Sequence, residues 1–247
     1  MSTWNAPHDP SCYGTLDLDC EIIDKFLENY NSKNPDAKIT YTHFFMKLIG
    51  LGIEKAPDAN GTIAFGQFVP FKGVNISTLV AVGKKNLTGV TVSNCQKLSL
   101  SEIRKKTNAR IKKIKTDKDE DTNHQINTIK FIPAFIIECI IDITSFISYS
   151  LGIGFKFLRI KKYSFGNIIL TNVSPLPFID TFAPLVNFSE AFMVAVICKP
   201  KLRAIVGPNR KMEIRKMIKL NVTFDHRYAD AANINSCLLY TSPSPRD

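Results

Sequence analysis

The segment from Ile218 to Phe224 alternates apolar and polar side chains without interruption. The apolar positions are Ile218, Leu220, Val222 and Phe224, and the polar positions between them are Lys219, Asn221 and Thr223. A period of two places alternate side chains on opposite faces of an extended strand, and no helix satisfies it. The pattern predicts a strand over Lys216–Phe224, so the chain must form a sheet that buries one face of this segment.

Other segments predict further strands separated by helices. The predicted strands are Thr15–Cys20, Thr62–Val69, Val74–Val82, Leu87–Ser93, Asn167–Val173 and Ala191–Cys198. The predicted helices are Ile22–Tyr30, Thr40–Lys55, with Thr40 or Thr42 as the cap, and one opened by the capping box Ser99–Glu102. Strands dominate both halves of the chain, which predicts one α+β domain with a large mixed β-sheet flanked by helices.

The most hydrophobic segment is Phe131–Phe155, whose length is that of a membrane span. Glu138 and Asp142 would lie within such a span, each at a cost of about 2.5–3.5 kcal/mol. The same two residues share a helix face with Ser145 and Tyr149. We therefore expect no transmembrane span, but an amphipathic helix that packs in the core or an interface, with membrane-surface contact as the alternative.

Composition narrows the classes of partner. Lys and Arg number 32 against 22 Asp and Glu, a net charge of +10 that suits an anionic partner or simply reflects solvated lysines. No basic motif interleaved with aromatic residues occurs, so we expect no nucleic acid. The six cysteines form no CxxC pair and no metal-ligand spacing, which favours a reduced compartment and no metal site. With no targeting segment visible, we expect a cytoplasmic protein, or one of the mitochondrial matrix in a eukaryote.

The last eleven residues, 237–247, read CLLYTSPSPRD. They correspond residue for residue to the translation of a transposase-type sequencing adapter, with a genuine Pro/Ser-rich tail as the alternative. We therefore expect the natural domain over residues 1–236, truncated at its C-terminus, and we expect residues 237–247 to contribute nothing to the fold.

A candidate catalytic motif follows the predicted strand at Lys216–Phe224. It reads DHRYAD, from Asp225 to Asp230. A histidine at the end of a buried strand is held by rigid backbone, and imidazole accepts protons near neutral pH. By spacing alone, a structural role for His226 remains the alternative.

Four segments, in order along the chain, carry a resemblance to a known family. They read ITYTHFFMKLIGLGIEKAPDAN, VNISTLVAV with GVTVSNCQKLSLSEI, ILTNVSPLPFIDTFAPLVNFSEAFMVAV, and KLNVTFDHRYADAA. The last resembles the DHRxxDG signature of the dihydrolipoamide acyltransferases, the core subunits of the 2-oxo acid dehydrogenase complexes. The other segments are similar to the same family at the expected positions, so the resemblance spans nearly all of residues 13–236.

The resemblance implies a chloramphenicol-acetyltransferase-like fold that assembles as homotrimers with active sites between subunits. It implies transfer of an acyl group between a dihydrolipoyl thiol and coenzyme A. Within that frame His226 is the general base, Thr171 the hydroxyl that donates to the oxyanion, and Asp230 the residue that organises the histidine loop. Asn172 fixes the turn beside Thr171, and Arg227 is a structural ion-pair partner.

Departures from the family pattern leave other functions open. Ala231 and Ser174 replace family glycines, and the region from Lys115 to Tyr163 is longer than in the classical complex subunits and looks like that of stand-alone members. No lipoyl domain is visible, so we expect a lipoyl group, if one is used, to be carried on another chain. The alternatives are that Met1 is not the true start and that the thiol donor is a different compound. For the function, the alternatives are a catalytically degenerate scaffold and an acetyltransferase acting on a small hydroxyl acceptor. The residues that could steer the phosphates of coenzyme A are Lys199, Lys201, Arg203, Arg210 and Lys211.

Overall fold

A computed structural model describes residues 10–82, 86–113, 165–186, 189, 191–207 and 209–228, together with 133, 136, 139–140, 142–143, 146–147 and 151. The strands are β1 (Ser11–Asp19), β2 (Gly61–Ala64), β3 (Gln67–Pro70), β4 (Ile76–Val82), β5 (Asn86–Val92), β6 (Ile168–Asn172), β7 (Met193–Ile197), β8 (Lys201–Val206) and β9 (Met212–Asp225). The helices are α1 (Cys20–Lys33), α2 (Tyr41–Glu54) and α3, residues 100–113. This arrangement confirms the predicted α+β class.

Seven of these strands form one mixed sheet in the described part of the chain. Its order is β1-β9-β7-β6-β4-β5, with β8 also paired to β9. The pairs β4–β6 and β6–β7 are parallel, and the remaining pairs are antiparallel. The long strand β9 therefore lies between β1 on one side and β7 and β8 on the other.

The capping residues explain where the helices begin. Asp19 accepts a hydrogen bond from the Glu21 backbone N–H (2.9 Å) at the start of α1. At α3 the capping box is present, because the Ser99 N–H donates to Glu102 (2.8 Å) and the Glu102 N–H donates to Ser99 Oγ (3.3 Å). Thr40 caps α2, and its backbone N–H donates to Nδ1 of His43 (3.1 Å).

The neutral imidazole of His43 accepts the hydrogen bond that completes this cap. It is 8% exposed, and burial lowers its pKa to about 4. The imidazole nitrogen therefore stays an acceptor throughout the physiological pH range, in the position that Glu or Gln usually holds in a capping box.

Two sequence predictions need correction or fall outside the described residues. The run Thr62–Val69 is not one strand but the hairpin of β2 and β3, which reverses at Phe65 and Gly66 with φ of 51° and 74°. Positive φ at both central residues is the geometry of a tight hairpin turn, and Phe rarely adopts it. The helix predicted over residues 131–155 lies mostly outside the described residues.

The two faces of the sheet are covered differently. Leu170, Ala195 and Val222 lie in register on one face and pack in one buried cluster with side chains of α1 and α2. We call this the helix face. On the opposite face, Ile169 and Val194 pack against residues of the irregular segment 175–186, which we call the strap. The strap face also carries the polar positions of β9, because they alternate with the apolar ones.

Gly166 fixes the entry of the chain into β6. Its φ is +66°, and a Cβ there would lie 2.5 Å from the carbonyl oxygen of Asn75. Gly66 has a similar φ of +74°, but a Cβ at that position would have no other atom within 4 Å. The two glycines thus share a left-handed backbone and differ in available space.

We expect Gly166→Ala to lower the free energy of unfolding by about 2–4 kcal/mol, since strain at positive φ adds to a backbone clash. The matched variant Gly66→Ala carries only the backbone strain and should lose about 1–2 kcal/mol. Urea denaturation followed by circular dichroism measures both. Equal losses in the two variants would contradict the role given to the Asn75 carbonyl.

Candidate active site

Thr171 and Asn172 are the last two residues of β6 and emerge from its buried part. The preceding residues 168–170 are buried, whereas Thr171 and Asn172 are half-buried. The Asn172 side chain donates to Thr42 Oγ1 (3.1 Å) and accepts from the Ser174 backbone N–H (3.0 Å). Asn172 thereby ties the end of β6 to α2 and to the following turn, so the backbone that carries the Thr171 hydroxyl is fixed.

His226 lies in a turn directly after β9. The residues on either side of His226 hold this turn in place. The Asp225 carboxylate, 4% exposed, accepts from Nη2 (2.6 Å), Nε (3.1 Å) and the backbone N–H (2.9 Å) of Arg227. The Tyr228 N–H donates to the Asp225 carbonyl (3.1 Å), and the His226 N–H donates to the Pro10 carbonyl (2.9 Å). The turn therefore holds its backbone rigidly while the His226 side chain is exposed.

The remaining predicted positions of the motif, Asp230 and Ala231, lie outside the described residues. Arg227, in contrast, is described, and its bidentate contact with Asp225 is that of an ion-pair partner. The two oxygens of one carboxylate suit the planar guanidinium fork, which fixes the geometry of both side chains.

The structure does not bring Thr171 and His226 of one chain together. Thr171 pairs with Val196 on β7, and Val196 pairs with Asn221 on β9. The end of β9 lies four residues beyond Asn221, roughly 13 Å along the strand, and two strand spacings add roughly 10 Å across the sheet. The hydroxyl and the imidazole therefore lie at opposite ends of the sheet, too far apart to contact the same reacting atom.

A polar network on the strap face was not foreseen from the sequence. The Asn221 side chain, fully buried, donates to Asp180 Oδ1 (2.7 Å) and to the Thr181 carbonyl (3.1 Å). Lys219 also donates to Asp180, and this hydrogen bond holds the pKa of the Asp180 carboxyl below its usual range. The network ties the strap to β9. In the sequence, only the polar positions of the alternating segment on β9 indicated this polar network.

The residues considered for coenzyme A phosphates lie on and around β8. Lys201 and Arg203 belong to β8, and Arg210 lies in the turn between β8 and β9 with φ of 57°. Arg203 forms an ion pair with Asp17 (3.0 Å), so its charge is already partnered. Among the described residues, no group of three His, Cys, Asp or Glu side chains could hold a metal ion. No described helix has the length and apolarity needed to cross a membrane.

Comparison with known protein families gives one match over most of the chain. Residues 4–130 and 156–239 match the family described as 2-oxoacid dehydrogenases acyltransferase (catalytic domain). Both candidate residues, Thr171 and His226, lie within the matched ranges. The match covers the strands that carry them and the helices that pack on the sheet.

Solved structures with the same fold include the core of a multienzyme complex and two acetyltransferases. The cubic core of the pyruvate dehydrogenase multienzyme complex shares 15% identity at a TM-score of 0.67, over 95% of this chain and 80% of that one. The Azotobacter vinelandii dihydrolipoamide acetyltransferase shares 16% identity at a TM-score of 0.64, over 94% and 79%. A chloramphenicol acetyltransferase shares 13% identity at a TM-score of 0.51, over 95% and 89%. These likenesses confirm the chloramphenicol-acetyltransferase-like fold.

Proposed function

Since the chain belongs to the family of 2-oxoacid dehydrogenase acyltransferase catalytic domains and is an acyltransferase, we propose that it moves an acyl group between a dihydrolipoyl-type thiol and coenzyme A. In this proposal His226 is the general base and Thr171 is the hydroxyl that stabilises the oxyanion. The observation that carries the proposal is the anchored turn, which fixes the backbone of His226 and leaves its imidazole exposed.

The reaction needs a base because thiols are mostly protonated at neutral pH. In the direction from acyl-CoA to the dihydrolipoyl group, the attacking thiol gives its proton to His226 as its sulfur bonds to the thioester carbonyl carbon. The tetrahedral intermediate then collapses, and the bond between that carbon and the sulfur of coenzyme A breaks. The imidazolium returns its proton to the departing thiolate, so the histidine is unchanged at the end of the cycle.

The intermediate carries a negative charge on the former carbonyl oxygen, which a fixed donor stabilises better than mobile water. The hydroxyl of Thr171 is suited to this task because Asn172 holds the backbone beside it through Thr42 and Ser174. Threonine, like serine, supplies an O–H donor, and its branched Cβ restricts the hydroxyl to few rotamers.

The separation of the two residues supports a site formed by two copies of the chain. One copy would supply His226, and the neighbouring copy would supply Thr171. This arrangement is in line with a homotrimer whose active sites lie between subunits. In the Azotobacter vinelandii enzyme, a serine, a histidine and an asparagine four positions after the histidine have been investigated for their roles in the catalytic mechanism. By the same spacing, we propose that Asp230 helps to organise the histidine loop.

The proposed reaction determines which molecules the protein must bind. Coenzyme A enters as acyl-CoA or leaves as the free thiol, and a dihydrolipoyl-type thiol is the second substrate. Because Arg203 is already paired with Asp17, we assign no phosphate contact to it. Lys201 and Arg210 remain candidates for steering the anionic substrate.

We expect Thr171→Ala to lower kcat for acetyl transfer from acetyl-CoA to dihydrolipoamide by about 10²–10³-fold, the usual loss when one oxyanion donor is removed. Thr171→Ser keeps the hydroxyl and should retain activity within a few-fold of the wild type. Release of free coenzyme A thiol measures both. Activity of Thr171→Ala within a few-fold of the wild type would exclude this residue as the oxyanion donor.

A further inference from the structure

Thr171 lies at an edge of the surface that the strap covers. Its side chain shares a face of β6 with Ile169, two residues earlier, and Ile169 packs against the strap. In register beside Thr171 on this face lie first Val196 and then Asn221, which are 1% and 0% exposed. Asn221 is hydrogen-bonded to the strap, whereas Thr171 is half-buried. Along this row the cover is therefore complete from Asn221 to Val196 and partial at the proposed oxyanion donor.

The strap begins three residues after the end of β6 and crosses the sheet without forming a helix or a strand. Its position therefore depends on its contacts with the sheet. The Phe178 carbonyl accepts from the Lys199 backbone N–H (3.2 Å), beyond the end of β7. The Phe182 ring packs edge-on against Tyr13 of β1, with 5.5 Å between the ring centroids. Between these two contacts lies Asp180.

The Asp180 carboxylate is the charged anchor of the strap. It accepts hydrogen bonds from the Lys219 ammonium and from the Asn221 side-chain amide (2.7 Å), two residues apart on the same face of β9. Hydrogen bonds to an ionised group are stronger than those between neutral groups. The Lys219 side chain is only 16% exposed, so solvent screens this bond little. The position of the strap on β9 therefore depends strongly on one carboxylate.

The strap face of β9 also carries polar atoms that attract water. Asn221 Oδ1 and Thr223 Oγ1 are buried and have no hydrogen-bond partner within the described part of the chain. Buried polar atoms without partners are costly, and water satisfies them once it has access. Asn221 lies two strands from Thr171, roughly 10 Å across the sheet. Water that enters where the strap leaves β9 would therefore come close to Thr171.

We propose that Asp180 is a positioning residue that holds the strap on the sheet and thereby excludes water from the acyl site at Thr171. The inference rests on the proposed function, because it concerns the same acyl site. Water competes with the dihydrolipoyl-type thiol for the thioester. Its oxygen bonds to the carbonyl carbon, the bond from that carbon to the sulfur of coenzyme A breaks, and one proton passes to that sulfur. The products are a carboxylic acid and free coenzyme A, and a site closed to water avoids this loss.

The test compares hydrolysis with transfer in the full-length protein. Acetyl-CoA labelled in its acetyl group is incubated with dihydrolipoamide, and the labelled acetate and acetyl-dihydrolipoamide are separated and counted. Asp180→Ala should raise the ratio of acetate to acetyl-dihydrolipoamide by about tenfold or more, the effect on an equilibrium of losing one hydrogen bond to a charged group. Asp180→Asn keeps an acceptor for the Asn221 amide and should give an intermediate ratio. A merely structural loss would lower both rates together and leave the ratio unchanged.

Glu213→Ala is the matched control. It removes an ion pair with Arg215 (2.6 Å) near the start of β9, away from the strap, and should keep the wild-type ratio. Hydrogen–deuterium exchange of residues 175–186 should be faster in Asp180→Ala than in the wild type, and unchanged in Glu213→Ala. If Asp180→Ala does not fold, Lys219→Met removes the charged donor, leaves the Asn221 contact, and is measured in the same two ways.

An active wild type together with a folded Asp180→Ala that keeps the wild-type product ratio would overturn the inference and leave the proposed function standing. Unchanged exchange of the strap in that variant would overturn it as well. A wild type that forms no acetyl-dihydrolipoamide would contradict the proposed function, and the exclusion of water with it.

Discussion

Replacing His226 with alanine is expected to lower kcat/KM for acyl transfer by about 10³–10⁴-fold, because the attacking thiol loses its proton acceptor. Folding should not be affected. The contact that His226 makes within its turn is a backbone N–H donated to Pro10, which alanine retains, and the side chain itself is exposed. The loss should therefore appear in the rate while the free energy of unfolding stays within about 0.5 kcal/mol of the wild type.

Added imidazole separates a proton-transfer role from a structural one. A free base can enter the space left by the side chain, so imidazole should raise the rate of His226→Ala in proportion to its concentration. The same imidazole should leave Thr171→Ala unchanged, since that variant keeps its histidine and lacks a donor instead. Activity of His226→Ala equal to that of the wild type would refute the mechanism.

Mixing two inactive variants is expected to restore activity. In a mixed assembly of His226→Ala and Thr171→Ala, some sites combine the intact Thr171 of one copy with the intact His226 of the other. If each site draws its two residues from two neighbours at random, an equal mixture should regain about one quarter of the wild-type rate. This gain of more than an order of magnitude follows directly from the placement of the two residues at opposite ends of the sheet.

The mixture is prepared by co-refolding, so that subunits exchange, and is assayed beside each variant refolded alone. A variant that carries both substitutions is the matched control, because mixing it with His226→Ala restores no complete site. A co-refolded mixture with only the mean rate of its two components would show that the copies do not share a site.

The strands could be predicted where burial of one face of the sheet produces an alternating pattern of apolar and polar residues. The alternation from Ile218 to Phe224 predicted the core of β9, but its extension to Met212 was missed. The reason is physical: the sequence does not say whether an apolar side chain such as Ile214 is covered by its own chain or by another. For the same reason β8, whose apolar Leu202 is exposed, was not predicted as a strand.

Turns and the candidate site depended on contacts that are distant in sequence. The hairpin turn at Phe65 was missed because Phe carries no turn signal and is held at positive φ by the pairing on either side. Thr171 and His226 were identified through their motifs. Their separation follows from the register of β6, β7 and β9, which no local pattern encodes. The part played by Asp180 likewise arises from the strap crossing β9.

The pairing of β1 with β9 has a consequence for the order of events during synthesis. Ser11 pairs with Asp225 and Asp19 with Met217. Strand β1 therefore cannot pair within the sheet until β9 has been synthesised. At about 5–20 residues per second on the ribosome, roughly 200 intervening residues delay that meeting by about 10–40 s. The hydrogen bond from His226 to Pro10 closes at the same step. The nascent protein thus remains without its histidine turn until the segment around residues 217–226 has been synthesised.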